Sequence, residues 1–416
     1  MLIVIGMMGG AVSTTNGQLT DDSENQAFQV QDQGDTKTVD DGVSPVQLPQ
    51  RTLQELLADI RANEKNISFL FSSIPIGFPE KQRQQMDRIR AKKAKNLELK
   101  VALADAAAIA YKKDPTDSVA ARIVYSTLAN KIDAASGVRF DPSGALELAD
   151  MMFKSGLQPR GTGNDENRIP GLTYEAVAYQ AFRASFAIQD YGRAEMMLQR
   201  IEEGGTKLLP VYREALTDAK EKWKRELMIR RLESNTNDLP QIKIETTEGN
   251  IVVELFENHA PQTVGNFVSL VQEGFYDDKA FYLVRPGDCA RTGCSENDGT
   301  GDIGYQIPCE YNREQIRHHF SGTLSMHNEG PDTGGSQFFI THQRKKEYDG
   351  RYTAFGRVID GMDVVYKLNK VDKTPYSRIK GGEASKIIKA TVLRKREHPY
   401  GPSRVADQTR TARDGG

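Results

Sequence analysis

Residues Ser321 to Ile340, SGTLSMHNEGPDTGGSQFFI, decide how this chain reads. Thr323-Leu324-Ser325-Met326 is a short apolar run of strand type. His327 to Gly335 is rich in Gly, Asn, Pro and Asp, the residues that turns require. Phe338-Phe339-Ile340 is a second apolar run. Two buried strands joined by a structured loop predict part of an antiparallel sheet.

The same period extends outward. Ile242, Ile244 and Thr246 alternate, Glu248-Gly249-Asn250 turns, and Ile251, Val253 and Leu255 alternate back, which predicts a hairpin. Pro261 opens a helix that carries Val264, Phe267, Val268 and Val271 and ends at Gly274. Strands are predicted at Phe281–Val284, Gly322–Met326, Phe338–Ile340, Phe355–Val358 and Ile387–Arg394, with a second helix at Met362–Leu368. So many short strands are best accommodated by a sheet closed on itself, which removes exposed edges.

From about Leu239 to Lys395 the chain resembles the cyclophilins, the peptidyl-prolyl cis/trans isomerases. The resemblance rests on Gly322 to Met326, Gly334 to Ile340, and Tyr348-Asp349-Gly350 leading to Phe355-Gly356-Arg357-Val358. Phe275-Tyr276-Asp277 and Val284-Arg285-Pro286-Gly287 add to it. It implies a closed antiparallel β-barrel with two capping helices over 239–396, no metal or cofactor, and a proline-containing peptide or unfolded protein client as ligand. The chemistry it implies is conformational. A prolyl bond rotates over a barrier of roughly 18–20 kcal/mol, because twisting destroys amide resonance. A guanidinium aimed at the prolyl nitrogen binds better when that nitrogen has regained its lone pair, and this difference is catalysis.

Several positions depart from the family's pattern. The family's arginine follows an aromatic pair before the Val-x-Pro-Gly turn; here Phe281-Tyr282 is followed by Leu283. Two apolar pocket walls become Asp288 and Cys289, and the family's glutamine becomes Arg291. Glu347 stands where an apolar residue precedes the Asp-Gly turn, and Tyr352 stands at the pocket histidine. Gln337 and Phe339 match the pattern. The implied substrate-binding set is Gln337, Phe339, Asn328, His327, Tyr348, Tyr352 and Cys289. Arg291 is the candidate catalytic cation, reaching the groove from a position beside the lost arginine. The competing reading pairs Arg291 with Asp288 or Glu347 in a repurposed groove that binds peptides without turning them over. Loss of one charged hydrogen bond, about 1.5–3 kcal/mol, corresponds to a ten- to hundredfold slower enzyme. The Pro286 turn aims Arg285 elsewhere. His327 reads as a binding or packing residue, and no base and acid are expected beside Ser325 or Ser336.

Upstream, residues 49–235 read as an α-helical domain. Leu53, Leu56, Leu57 and Ile60 follow Thr52 as N-cap. Helical segments follow at Gln82–Tyr111, Val119–Ile132, Pro142–Phe153, Tyr174–Ile188, Tyr191–Ile201 and Val211–Leu232. Short breaks such as Gln189-Asp190 suggest helical hairpins. The pair from Tyr174 to Ile201, with Ala178, Ala181, Ala184 and Ala194 among large residues, loosely resembles one tetratricopeptide unit. A bundle without repeats is the alternative reading. Such a domain is expected to bind a protein partner.

The chain has 416 residues and a formal net charge of -2, so no global field favours nucleic acid. No apolar run is long enough for a membrane span. Residues 1–16 have a short apolar core followed by Ala11-Val12-Ser13, either part of an export signal or a fortuitous apolar start, with export favoured over a cytoplasmic location. Residues 17–48 read as a disordered acidic linker and 397–416 as a flexible tail. Cys289, Cys294 and Cys309 are an odd set. A Cys294–Cys309 disulfide, or zinc held by the thiols with His318, His319 or His327, are the alternatives to free thiols.

Overall fold

The computed structural model describes residues 51–405, except 76, 134–139, 158–168, 170–171, 207–209, 314, 373, 375–382 and 403. The expectations for 1–16 and 17–48 lie outside these. The described chain forms one compact unit from Arg51 onward. It contains an α-helical part followed by a curled antiparallel sheet.

The helical part is α1 (Leu53–Ser72), α2 (Pro79–Lys113), α3 (Ser118–Ile132), α4 (Pro142–Lys154), α5 (Tyr174–Ala187), α6 (Tyr191–Glu203) and α7 (Pro210–Thr236). Their starts follow local chemistry. Thr52 and Glu55 form a reciprocal capping box on α1. Asp117, Asp141, Thr173 and Asp190 accept from backbone N–H groups at the starts of α3 to α6. Ala178, Ala181, Ala184 and Ala194 are fully buried, so α5 and α6 approach closely and Tyr191, Met197 and Phe182 fill the space around them.

Among the described residues the sheet has nine strands: β1 (Gln241–Thr246), β2 (Gly249–Leu255), β3 (Leu283–Arg285), β4 (Cys289–Thr292), β5 (Thr323–Met326), β6 (Phe338–Thr341), β7 (Thr353–Asp360), β8 (Val371–Asp372) and β9 (Ile387–Arg394). Their order is β8-β3-β4-β6-β5-β7-β2-β1-β9, and each ladder is antiparallel. Helices α8 (Pro261–Gln272) and α9 (Met362–Lys367) accompany it. Phe267, Phe338 and Phe355 meet at ring distances of 5.1–6.3 Å in the core, with Val268, Leu324 and Ile340 around them. Where a closed barrel was expected, no ladder joins β8 to β9 among the described residues, and the sheet is curled. Strands β4 and β8 were not anticipated. β4 alternates poorly, and β8 has only two residues, too few to show a period.

One buried cation, Arg317 in the segment before β5, fastens α7 to the sheet-bearing part of the chain. Arg317 donates to both carboxylate oxygens of Glu226 at 2.7 and 2.9 Å and to Glu233 at 2.6 Å. Its side chain is 0% exposed. Its guanidinium lies 3.6 Å from the ring centre of Phe256. Trp223 of α7 packs edge-on against Phe320 at 4.8 Å. A desolvated cation persists only with such complete compensation.

The expected tail is partly tied down. His398 and Tyr400 bond Glu257 at 2.6 and 3.0 Å, and the Val405 N–H donates to the Gln306 carbonyl at 2.8 Å. The apolar and aromatic surface available near Tyr305, over which Arg404 lies at 4.5 Å, explains why these residues stay on the protein. Residues 406–416 lie outside the description.

Candidate functional site

Strands β3, β4 and β6 set the floor of the site. Their register pairs Leu283 with Arg291, and Arg291 with Phe339. After β4 the backbone turns at Gly293, with φ +83°, and passes so close to the Ser336 carbonyl that a Cβ would collide with it. This brings the Cys294–Gly301 loop against Gln337.

Phe339 is 1% exposed and forms the floor. Tyr348 and Tyr352 stand edge-on to it at 5.4 and 5.2 Å, and to each other at 5.4 Å. Edge-to-face rings of this kind lock one another's rotamers. Leu283 and Cys289 join the same apolar cluster. Burial, first, and the neighbouring Asp288 carboxylate push the Cys289 thiol up to about 12, so Cys289 is an apolar wall.

Arg291 lies over this floor. Its guanidinium carbon is 6.0 Å from the Phe339 ring centre, and its Nη1 is 3.2 Å from His327 Nε2. A guanidinium can only donate, so His327 accepts at Nε2 and carries its hydrogen on Nδ1. Burial, and then the Arg291 charge, push His327 down to about 3, so the imidazole is neutral. Arg291 Nε and His327 Nδ1 are both buried without a hydrogen-bond partner among the described residues.

Asp288 does not take Arg291. Its carboxylate accepts from Tyr348 at 2.7 Å and pairs with Lys345 at 2.9 Å. Burial alone would raise its pKa; Lys345 and the Tyr348 hydroxyl outweigh that and hold it below the usual range. Glu347 is 3.7 Å from Lys345. Arg291 therefore makes no carboxylate pair among the described residues, and the competing pairing with Asp288 or Glu347 is absent. Arg285 points away and meets Asp372 at 3.2 Å.

Two substrate-binding candidates are engaged by the protein itself. The Gln337 amide nitrogen donates to the carbonyls of Gly301 and Gly299 at 2.9 and 3.3 Å, and its oxygen accepts from the Tyr282 hydroxyl. Asn328 donates to the Arg351 carbonyl at 3.0 Å. Gln337 thus braces the Cys294–Gly301 loop, and Asn328 ties the His327 loop to the Tyr352 segment.

A second polar network sits behind Phe339. Asp349 accepts from His319 Nδ1 at 2.9 Å, and Ser325 Oγ lies 2.8 Å from His319 Nε2. The order Ser–His–Asp is that of a nucleophile, base and acid, which the sequence was not expected to assemble. Ser325 and His319 are both 0% exposed, however, and Ser325 also approaches the Thr353 carbonyl at 3.3 Å. No substrate reaches this serine; the network is a satisfied buried scaffold. Burial tends to raise Asp349, but His318, His319 and Arg344 hold it well below the usual carboxylate range.

Tyr282 and Lys345 were missed in the sequence. Lys345 could have been found as the countercharge that a carboxylate at 288 demands. The thiols are free. Cys294 accepts from the Gly299 and Gly301 N–H groups at 3.2 Å, and Cys309 from Asp332 at 3.1 Å, so the Cys294–Cys309 disulfide is not formed. Of the histidines considered for zinc, His318 and His319 both bond Asp349 and His327 bonds Arg291, and no cluster of groups that could hold a metal occurs among the described residues.

The model of the cyclophilin type peptidyl-prolyl cis-trans isomerase/CLD family matches residues 241–392. A peptidyl-prolyl cis-trans isomerase of Synechococcus elongatus is 45% identical over 137 residues, which are 32% of this chain and 92% of that protein. Peptidyl-prolyl cis-trans isomerase B of Bacillus subtilis is 42% identical over 135 residues, 32% of this chain and 94% of that protein. A solved cyclophilin from Cryptosporidium parvum is 28% identical, covering 38% of this chain and 99% of its own, with a TM-score of 0.35. The chain belongs to the cyclophilin-type peptidyl-prolyl cis-trans isomerases, an enzyme family.

Proposed function

We propose that this isomerase works with a relocated cation. Arg291, rather than a residue at 283, donates to the prolyl nitrogen as the bond twists, and His327 aims it. The observation that carries this is the Arg291 guanidinium held above Phe339 by a neutral imidazole, with no carboxylate partner among the described residues. A cation left unneutralised over an aromatic floor keeps its full hydrogen-bonding capacity for a ligand. The partnerless donors Arg291 Nε and His327 Nδ1 support the same reading, since buried N–H groups are normally satisfied. A peptide carbonyl and the pyramidal prolyl nitrogen would satisfy them. Tyr348 and Tyr352 would grip the proline ring of an unfolded protein client, with the covered Phe339 and Cys289 behind them.

Turnover is expected to be slower than an enzyme with its arginine at the usual place, because the donor reaches from one strand further on. The helical part would recruit the client or a protein partner. A protease-coupled prolyl-peptide assay on wild type and Arg291→Ala tests the proposal. A ten- to hundredfold fall in kcat/KM in the variant supports it. Equal turnover in both sinks it.

A second reading is favoured by the closeness of the aromatic box. Phe339 is almost wholly covered, so the groove would hold proline-containing segments without turning them over. Saturable peptide binding with no turnover in the wild type would establish that reading.

A further inference from the structure

Three consecutive cations, Arg344, Lys345 and Lys346, part to opposite sides of the segment between β6 and β7. Lys345 turns to the groove and pairs with Asp288 at 2.9 Å. Arg344 and Lys346 turn the other way, to Asp218 of α7 at 3.5 and 3.1 Å. Successive side chains on extended backbone alternate in this manner.

The two partners of Asp218 are unequal. The Lys346 side chain is 69% exposed, and its pair contributes little. The Arg344 side chain is 3% exposed. Its Nη2 donates to Asp349 at 2.6 Å and its Nη1 to the His319 carbonyl at 3.3 Å, while its Nε has no hydrogen-bond partner among the described residues. Asp349 is shared with His318 and His319. A buried guanidinium so placed depends on the carboxylates around it, and of its two Asp218 is the one from α7.

Helix α7 is a firm anchor for this contact. Arg317 ties it at Glu226 and Glu233. Trp223 packs on Phe320, whose ring centre lies 5.1 Å from the Arg344 guanidinium. From Arg344 the path to the groove is short. Arg344 grips Asp349, the residue after Tyr348. The Tyr348 N–H donates to the Lys345 carbonyl at 3.1 Å, and the Tyr352 N–H to the Tyr348 carbonyl at 3.2 Å. Tyr348 then stands edge-on to Phe339 and gives its hydroxyl to Asp288.

We infer, resting on Tyr348 and Tyr352 as the grip on the proline, that Asp218 is a positioning residue for the isomerase. From the helical part it fixes the Arg344–Asp349 turn, and through that turn the tyrosine walls of the groove. Coupling of this kind travels through contiguous packed and hydrogen-bonded groups, and each link here is a direct contact. Asp218 acts on the walls and not on the Arg291 guanidinium. Its loss therefore loosens the hold on ground state and transition state alike, which raises KM and leaves kcat in place.

Protease-coupled kinetics, and the anisotropy of a fluorescein-labelled Ala-Ala-Pro-Phe peptide, test this on the full chain. Asp218→Ala and Asp218→Asn are expected to raise KM and the peptide Kd about three- to tenfold, with kcat within about twofold and the circular dichroism spectrum unchanged. Asp218→Glu should bring both constants back to within about twofold of wild type. Tyr348→Ala should raise them at least as far as Asp218→Ala does. The two substitutions together should raise them no further than Tyr348→Ala alone, because both act through one wall. Unchanged KM and Kd in Asp218→Ala beside a rise in Tyr348→Ala overturns the inference and leaves the groove reading intact. Additive effects in the double variant, a fall in kcat at constant KM, no rescue by glutamate, or unfolding by both Asp218→Ala and Asp218→Asn also overturns it. No change in Tyr348→Ala removes the groove reading and this inference with it.

Discussion

Arg291 and His327 share a hydrogen bond of 3.2 Å in which the imidazole is the acceptor, so the guanidinium's direction over Phe339 depends on a neutral histidine. His327→Phe keeps the ring volume against Tyr352 and removes the acceptor. Its kcat is expected to fall three- to tenfold with little change in melting temperature, less than for Arg291→Ala. Steady-state kinetics on both variants, and on Arg291→Lys, check the order.

Leu283→Arg combined with Arg291→Gln places the residue types as the family's pattern has them. Turnover of this double variant is expected to exceed that of Arg291→Ala at least tenfold. If the relocated cation were irrelevant, Leu283→Arg alone would give the whole gain.

Asp288 and Lys345 sit where the pocket is otherwise apolar. Lys345→Met leaves the Asp288 carboxylate with only the Tyr348 hydroxyl and should destabilise the fold by about 1–2 kcal/mol, with allowance for the partial exposure of the pair. Adding Asp288→Leu should restore most of that loss. Urea unfolding of the single and double variants measures it.

Acid should weaken the fold earlier than carboxylate titration alone would. Burial lowers His259 and His342 to about 4 and His327 to about 3, against about 6.5 for an unfolded histidine. Between these values the unfolded chain binds protons that the folded chain does not, so stability is full above about pH 6.5 and falls as pH drops. Each such histidine contributes at most ~1.4 kcal/mol per pH unit. Glu226, brought to about 2 by Arg317 and Arg230 against its burial, adds to the loss below the ordinary carboxylate range. Urea midpoints from pH 8 to 4.5 should decline steadily, and less steeply in His342→Gln.

Arg317→Met removes the cation between Glu226 and Glu233 and should cost about 3–5 kcal/mol, read as a drop in melting temperature. Replacing Glu226 and Glu233 by Gln in the same variant should recover part of it.

The strands and helices that carry a clear period were legible: α8 begins at Pro261 as expected, and β5 and β6 flank the loop that begins at His327. The floor of the site was legible too, because Phe339 and Gln337 lie in a dense motif. The use of Gln337 was not. Its amide braces a loop that is distant in sequence, and no local pattern encodes that. Tyr282 and the Asp349–His319–Ser325 chain were hidden for the same reason, since each joins segments that only the fold brings together. The partner of Arg291 was likewise undecidable from spacing: Asp288 lies closer along the chain, yet Lys345 takes it.

Because Glu226 and Glu233 precede Arg317 along the chain, a ribosome releases α7 well before the strands that need it. The sheet then assembles against counterions already in place, and Arg317 need never be desolvated alone. A fragment starting at Leu239 would have to bury that guanidinium over Phe256 unaided or expose both, which makes α7 a template for the enzyme's own biogenesis.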